Sequence, residues 1–161
     1  MTVSVPQSHA ASAATDSANA ARQRWMRVLA KALPGELADA CSALGAMPPV
    51  AFVRAPETGL ALLRGRVGGR GAAFNFGEAT VTRCVVRLAG DEAGPMGFGY
   101  VMGRDKNRAE QAALLDALLQ RGNEVAERQI DRLEAAHTAR VAAQAAHAAT
   151  SKVDFFTLVR E

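Results

Sequence analysis

Residues 79–119, ATVTRCVVRLAGDEAGPMGFGYVMGRDKNRAEQAALLDALL, change their period midway. Up to Leu88 the side chains alternate by twos: Thr80, Thr82, Cys84, Val86 and Leu88 fall on one side, Val81, Arg83, Val85 and Arg87 on the other. A Gly- and Pro-bearing break separates this run from a second extended run over Gly97–Met102. From Asp105, a good N-cap residue, apolar positions recur every three or four residues, which predicts an amphipathic helix. Strands leading into a helix within one short chain predict an α+β fold.

Working upstream, two more extended runs are expected near Val50–Arg54 and Gly59–Val67; Leu60, Leu62, Arg64 and Arg66 share one face of the latter. With the later strands they make a small, mostly antiparallel sheet. Before it, Trp25, Val28, Leu29 and Ala32 fall at helical spacing. Arg22, Arg24, Arg27 and Lys31 take the polar positions, where Arg22→Ala is expected to change complex formation or activity by less than about threefold. Pro34-Gly35 ends that helix, and Glu36–Leu44, closed by Gly45, completes a helical hairpin. Residues 1–19 hold Ala, Ser and Thr with no periodic large apolar group, so a disordered tail is expected. Residues 20–161 are expected to form one α+β domain.

Downstream of Asp105 no proline interrupts the chain and only Gly122 breaks it, so one long Ala-rich helix over about 105–149 is expected, with a stripe of Leu115, Leu118, Leu119, Ala126, Ile130, Leu133 and Val141. A helix that outruns its own domain is expected to lie on a partner. The terminal KVDFFTLVRE concentrates Phe155, Phe156 and Leu158, expected to dock rather than hang free.

The chain has 161 residues, 49% hydrophobic and 5% aromatic, and its 35 alanines make much of the apolar fraction helix-forming rather than core-filling. No apolar run approaches the length of a membrane span and the start carries no signal-peptide pattern, so a cytoplasmic protein without membrane contact is expected. A net charge of +3 falls well short of a dedicated nucleic-acid binder. The charge is uneven: residues 54–108 hold nine Arg or Lys against five acids. Cys41 and Cys84 form no metal-binding spacing and read as buried free thiols, and no metal site is expected.

The Gly-rich stretch RGRVGGRGAAFNFGE, residues 64–78, looks like a phosphate-cradling loop, yet it lacks the GxxxxGK[ST] spacing and reads better as a hairpin turn. Glu78, Thr80, Thr82 and Arg83 form a polar cluster around a site, or else Glu78 and Arg83 are rim ion pairs on a sheet. Arg104 and Lys106, at the start of a helix, are placed either to meet a phosphate or as solvated cap charges. His137 and His147 have no acidic orienter in sequence reach, and no nucleophile–base pairing stands out, so no catalytic residue is assigned.

Four blocks in order, RQRWMRVLAKA, RAPETGLALLRGRVGGRGAAFNFGEATVTRCVVRL, GFGYVMGRDKNRAEQAALLDALLQ and KVDFFTLVRE, resemble the PhnG family, whose members are the G component of the carbon–phosphorus lyase core complex. The likeness covers about residues 22–122 and the last dozen. It implies a role in the catabolism of organic phosphonates, within a complex of G, H, I and J subunits in two copies each, where the I subunit is the expected direct contact. In that system methylphosphonate displaces adenine from ATP to give α-D-ribose 1-methylphosphonate 5-triphosphate. A radical subunit with an iron–sulfur cluster and S-adenosylmethionine later cleaves the carbon–phosphorus bond. The resemblance implies no cofactor and no catalytic residue in this chain.

The expected function is therefore a non-catalytic structural subunit of that transferase and lyase machinery. Arg64, Arg66, Glu78, Thr80, Arg83, Arg87, Arg104 and Lys106 are the expected substrate-binding or interface residues, and Phe155, Phe156 and Leu158 the docking tail. Two other classes compete: a stand-alone enzyme binding a phosphorylated ligand, and a basic nucleic-acid-binding module. The first needs turnover by the isolated chain, and the second needs binding that falls steeply with salt.

Overall fold

Helix α3, Lys106–Leu119, is the centre of the molecule. The computed structural model describes residues 8–46 and 48–150. Ala109 and the whole run Ala112–Leu119 are buried, so the helix is covered nearly all round rather than amphipathic as its start suggested. Asp105 caps it, its carboxylate accepting from Arg108 N at 2.9 Å.

One face of α3 lies on a three-stranded antiparallel sheet of β1 (Val50–Arg66), β2 (Ala73–Leu88) and β3 (Gly97–Met102), in that order. Contact is close because β3 presents glycines: a Cβ at Gly97 would fall 2.0 Å from Ala113 O, and one at Gly99 1.9 Å from Ala109 O. Thr82, Cys84, Val86 and Val101 line the covered face. The Thr82 hydroxyl, fully buried, is satisfied by Gly103 O at 2.7 Å and the Thr58 hydroxyl at 3.1 Å.

The other elements close around α3. Helix α1 (Ser8–Lys31) contributes Val28 and Leu29 to the core, with Ala32 just past its end, and α2 (Pro34–Ser42) contributes Leu37, Ala40 and Cys41. Helix α4 (Glu124–Thr150) adds Ala126, Ile130 and Leu133. Ion pairs staple the periphery: Arg24 of α1 reaches Asp131 at 2.7 Å and Glu134 of α4, while Arg140 of α4 pairs with Glu36 of α2. The α+β architecture expected from the period change is the one observed.

Four local expectations are corrected. Helix α1 starts at Ser8, not near residue 20, because an Ala-rich segment extends a helix already anchored by Trp25 and Val28 at little cost. The runs expected at 50–54 and 59–67 are one strand: register shifts at Phe52/Arg54 and Arg54/Glu57 carry β1 past Pro56, which has no N–H to pair. Strand β2 begins at Ala73, not 79, because the Gly-rich turn lies earlier, with Gly68 and Gly69 at φ 59° and 76°. The single helix expected over 105–149 is two, α3 and α4. Gly122 takes φ 68°, and the Asn123 carboxamide accepts from Ala126 N at 2.9 Å to start α4 afresh.

The expected docking tail, Phe155, Phe156 and Leu158, and the first seven residues of the expected disordered tail lie outside the described residues. Among the described residues, no helix is long and apolar enough to cross a membrane.

Candidate assembly surface

Among the described residues, helices cover one face of the sheet only. Along the open face the β2 residues Val81, Arg83, Val85 and Arg87 stand beside Phe98, Tyr100 and Met102 of β3, which oppose Val85, Arg83 and Val81 in register. Tyr100 and Met102 are about half and two-thirds exposed. On the β1 side of this face Glu57 opposes Arg83 and receives its Nε at 2.5 Å, while Arg54 donates to the same carboxylate oxygen at 2.7 Å. The two guanidiniums hold the Glu57 carboxyl below its ordinary range, the bond from Arg83 being the larger cause.

Arg83 therefore sits where the alternation placed it, half-exposed on a mixed apolar and basic face whose Val85 is itself buried, but its partner is Glu57 rather than Glu78. Arg87, further along the same face, is half-buried and its Nε has no hydrogen-bond partner among the described residues.

Beyond β3 the hairpin continues as a two-stranded arm. The β2–β3 ladder stops at Val81 opposite Met102, whereas β1 and β2 stay paired through Leu60–Thr80 and Leu62–Glu78 out to Arg66–Ala73. Leu60, Leu62, Arg64 and Arg66 alternate onto one face with Thr80 and Glu78 opposite Leu60 and Leu62, continuing the side that α3 covers lower down, past the reach of the helix. Arg64, Arg66 and Glu78 are exposed and Thr80 half-buried. Arg64 and Arg66 line an open concavity with Gly65, Gly69 and Ala73, and Arg66 Nη1 donates to Gly71 O at 2.9 Å, which holds that side chain over the turn. Gly103 N donates to Thr80 O at 2.8 Å, which sets the exposed Arg104 and Lys106 at the root of the arm.

The eight expected residues thus do not converge on one site. Arg83 and Arg87 occupy the open sheet face, Arg64, Arg66, Glu78 and Thr80 belong to the arm, and Arg104 and Lys106 flank its base.

A constellation that the sequence reading missed lies at the junction of α1, α3 and β3. Asp116 is fully buried in the last turn of α3. Its carboxylate accepts from Arg22 Nη2 at 2.8 Å, Trp25 Nε1 at 2.8 Å, Phe98 N at 2.9 Å and Gln120 Nε2 at 3.1 Å. The Arg22 guanidinium also stacks over the Phe98 ring, 5.5 Å from its centroid. All the acceptor capacity of this carboxylate goes to internal contacts, so it clamps three elements together and offers nothing to a substrate. The one sequence signal for it was an Asp inside the apolar run AALLDALL; Arg22 and Trp25, some ninety residues away, carried none.

Cys41 and Cys84 are both free and buried, and burial pushes each thiol up to about 11. Neither is a ready nucleophile at neutral pH. His137 and His147 lie apart on α4, and among the described residues no three His, Cys, Asp or Glu side chains converge as metal ligands.

Residues 20–161 match the family described as phosphonate metabolism protein PhnG. The chain is also similar to a protein of Rhizobium meliloti (strain 1021) named alpha-D-ribose 1-methylphosphonate 5-triphosphate synthase subunit PhnG, with 44% identity over 155 residues spanning 94% of this chain and 96% of that one. With a match over most of its length and a relative this similar from end to end, the chain belongs to the PhnG family of phosphonate metabolism proteins.

Proposed function

We propose that this chain is a structural subunit of an α-D-ribose 1-methylphosphonate 5-triphosphate synthase, supporting the exchange of adenine for methylphosphonate on ATP without itself supplying the reacting groups. The observation that carries this reading is the end-to-end similarity to a protein named as a subunit of that synthase. The geometry supports the division of labour. The best-organised polar constellation is consumed by structure, and the apolar and basic surface of the open sheet face and arm is left over for contact. Among the described residues the end of α4, Val141–Thr150, is likewise exposed throughout.

In this reading the partners are the H, I and J subunits of the synthase and lyase machinery, with the I subunit the first direct contact and two copies of each chain in a cytoplasmic complex. ATP is handled at a partner's site, and the iron–sulfur cluster and S-adenosylmethionine belong to the radical subunit. Arg83, Arg87, Arg104 and Lys106 contribute charge-assisted contacts to carboxylates or phosphates at the shared boundary.

Reconstitution with and without this chain tests the reading. The isolated chain is expected to release no adenine from ATP and methylphosphonate, and the partner subunits without it are expected to lose both stable assembly and adenine release. Adenine release by the pure chain, or full activity in its absence, overturns the proposal.

A further inference from the structure

We propose that the β1–β2 arm, residues 58–79, is the element that inserts into a partner protein, and that its receiving surface is an apolar cleft rimmed by carboxylates. This deepens the assembly reading and rests on it. The arm runs about 25 Å past the last rung of β3, at about 3.3 Å per residue from Gly59 to Arg66. Two strands without a third or a covering helix are marginal in water. Yet this pair carries Leu60, Leu62, Val67, Phe74 and Phe76 at 67%, 56%, 72%, 47% and 63% exposure. The two Phe rings lie 6.4 Å apart, and Phe76 sits over Gly65, where a Cβ would come within 3.3 Å of the ring. A contiguous apolar patch of this kind marks a surface that a partner covers.

Charge selects the kind of partner. Between Glu57 and Glu78 there is no acidic residue, while Arg64, Arg66 and Arg70 are all present, so residues 58–77 carry +3. Apolar and aromatic side chains interleaved with arginines are the composition of a protein interface core. The arm of a second copy of this chain would set like charge against like. Within the arm the register shift at Leu63/Arg64 breaks the flat edge that strand addition needs, and the exposed Leu60, Leu62, Phe74 and Phe76 stand on its two faces, so the arm engages by its faces. A free polyphosphate would use Arg64 and Arg66 but leave Leu60, Leu62, Phe74 and Phe76 in water.

The test uses the full chain co-expressed with the other synthase subunits. Leu62→Glu, Phe76→Glu and the double variant Arg64→Glu/Arg66→Glu are each expected to reduce recovery in the complex at least tenfold, with circular dichroism and thermal midpoint of the isolated chain like the parent's. A benzophenone side chain at position 74, read in the assembled complex, is expected to cross-link to another subunit on acidic and apolar peptides. Recovery within twofold of the parent for all three variants overturns the inference, as does cross-linking only to a second copy of this chain or to none. Binding of tripolyphosphate to the isolated chain that the double variant abolishes while assembly is unchanged would make the arm an anion site and also overturn it. Failure of the parent chain to assemble would instead overturn the assembly reading.

Discussion

Arg22 and Asp116, 94 residues apart in sequence, meet at 2.8 Å where α1 crosses the sheet, with the carboxylate fully buried and the guanidinium about one-third exposed. A buried carboxylate needs its full complement of donors, and here they come from a side chain of α1, an indole, a backbone N–H of β3 and a carboxamide following α3. Arg22, which helical spacing put on the polar side of α1, therefore also ties that helix to α3.

Removing Asp116 should leave the Trp25 N–H, the Phe98 N–H and the Arg22 charge without their acceptor. Asp116→Ala is expected to cost about 3–5 kcal/mol of stability. Arg22→Ala, at a partly exposed position, should cost roughly 1–3 kcal/mol. The double variant should lose less than the sum, because the two share one interaction. Urea unfolding of the four proteins checks the cycle, and strict additivity would show that the pair is not coupled.

Close approach of α3 to β3 depends on Gly97 and Gly99. Gly99→Ala drives a Cβ to 1.9 Å from Ala109 O and 2.9 Å from Ala113 N, both backbone atoms of a buried helix that cannot step aside. A loss of about 3 kcal/mol or more, or failure to fold, is expected. Gly59→Ala meets nothing within 4 Å and should change stability by less than about 0.5 kcal/mol. Thermal melts of the two variants separate a packing requirement from a general intolerance of strand substitution.

Arg83 gives the cleanest separation of stability from assembly. Its pair with Glu57 is half-exposed, so Arg83→Ala should change the isolated chain's unfolding free energy by less than about 1 kcal/mol. In the reconstituted complex the same change should weaken assembly or synthase activity about tenfold, as expected for a charge-assisted contact taken out of water. In carboxyl-resolved NMR titration of the isolated chain, the Glu57 midpoint should lie below 4.5 in the parent and rise in Arg83→Ala, since that bond is the main cause of its depression. A parent-like complex would reduce Arg83 to a surface charge.

The two cysteines should behave as packing groups. With both thiols pushed up to about 11, alkylation of the native chain at pH 7.5 should be slow at Cys41 and Cys84 and fast after unfolding. Because the native state holds these protons to higher pH than the unfolded chain does, stability should decline as pH rises past about 9 and go on declining to about 11. Rapid stoichiometric labelling of the native chain would contradict the burial.

The α+β order, the start of α3 at Asp105, the alternation that puts Arg83 opposite Cys84, the burial of both thiols and the family were all legible in the chain before it folded. Each is encoded by local period, capping chemistry or an ordered set of motifs, and none depends on which element packs on which. Folding was needed to show that α3 is buried all round, that Arg22 belongs to Asp116 and Arg83 to Glu57, and that β1 and β2 run on as an arm. It was needed too for the division of one helical pattern into two at Gly122. These are matters of contact between segments tens of residues apart, which no local period can encode. A lone Asp in an apolar run shows that a partner must exist, but only the folded chain brings the donor to it. Likewise an Arg beside Leu and Phe reads the same in a core rim and in an uncovered arm, until the length of β3 settles how much of the hairpin is left without a neighbour.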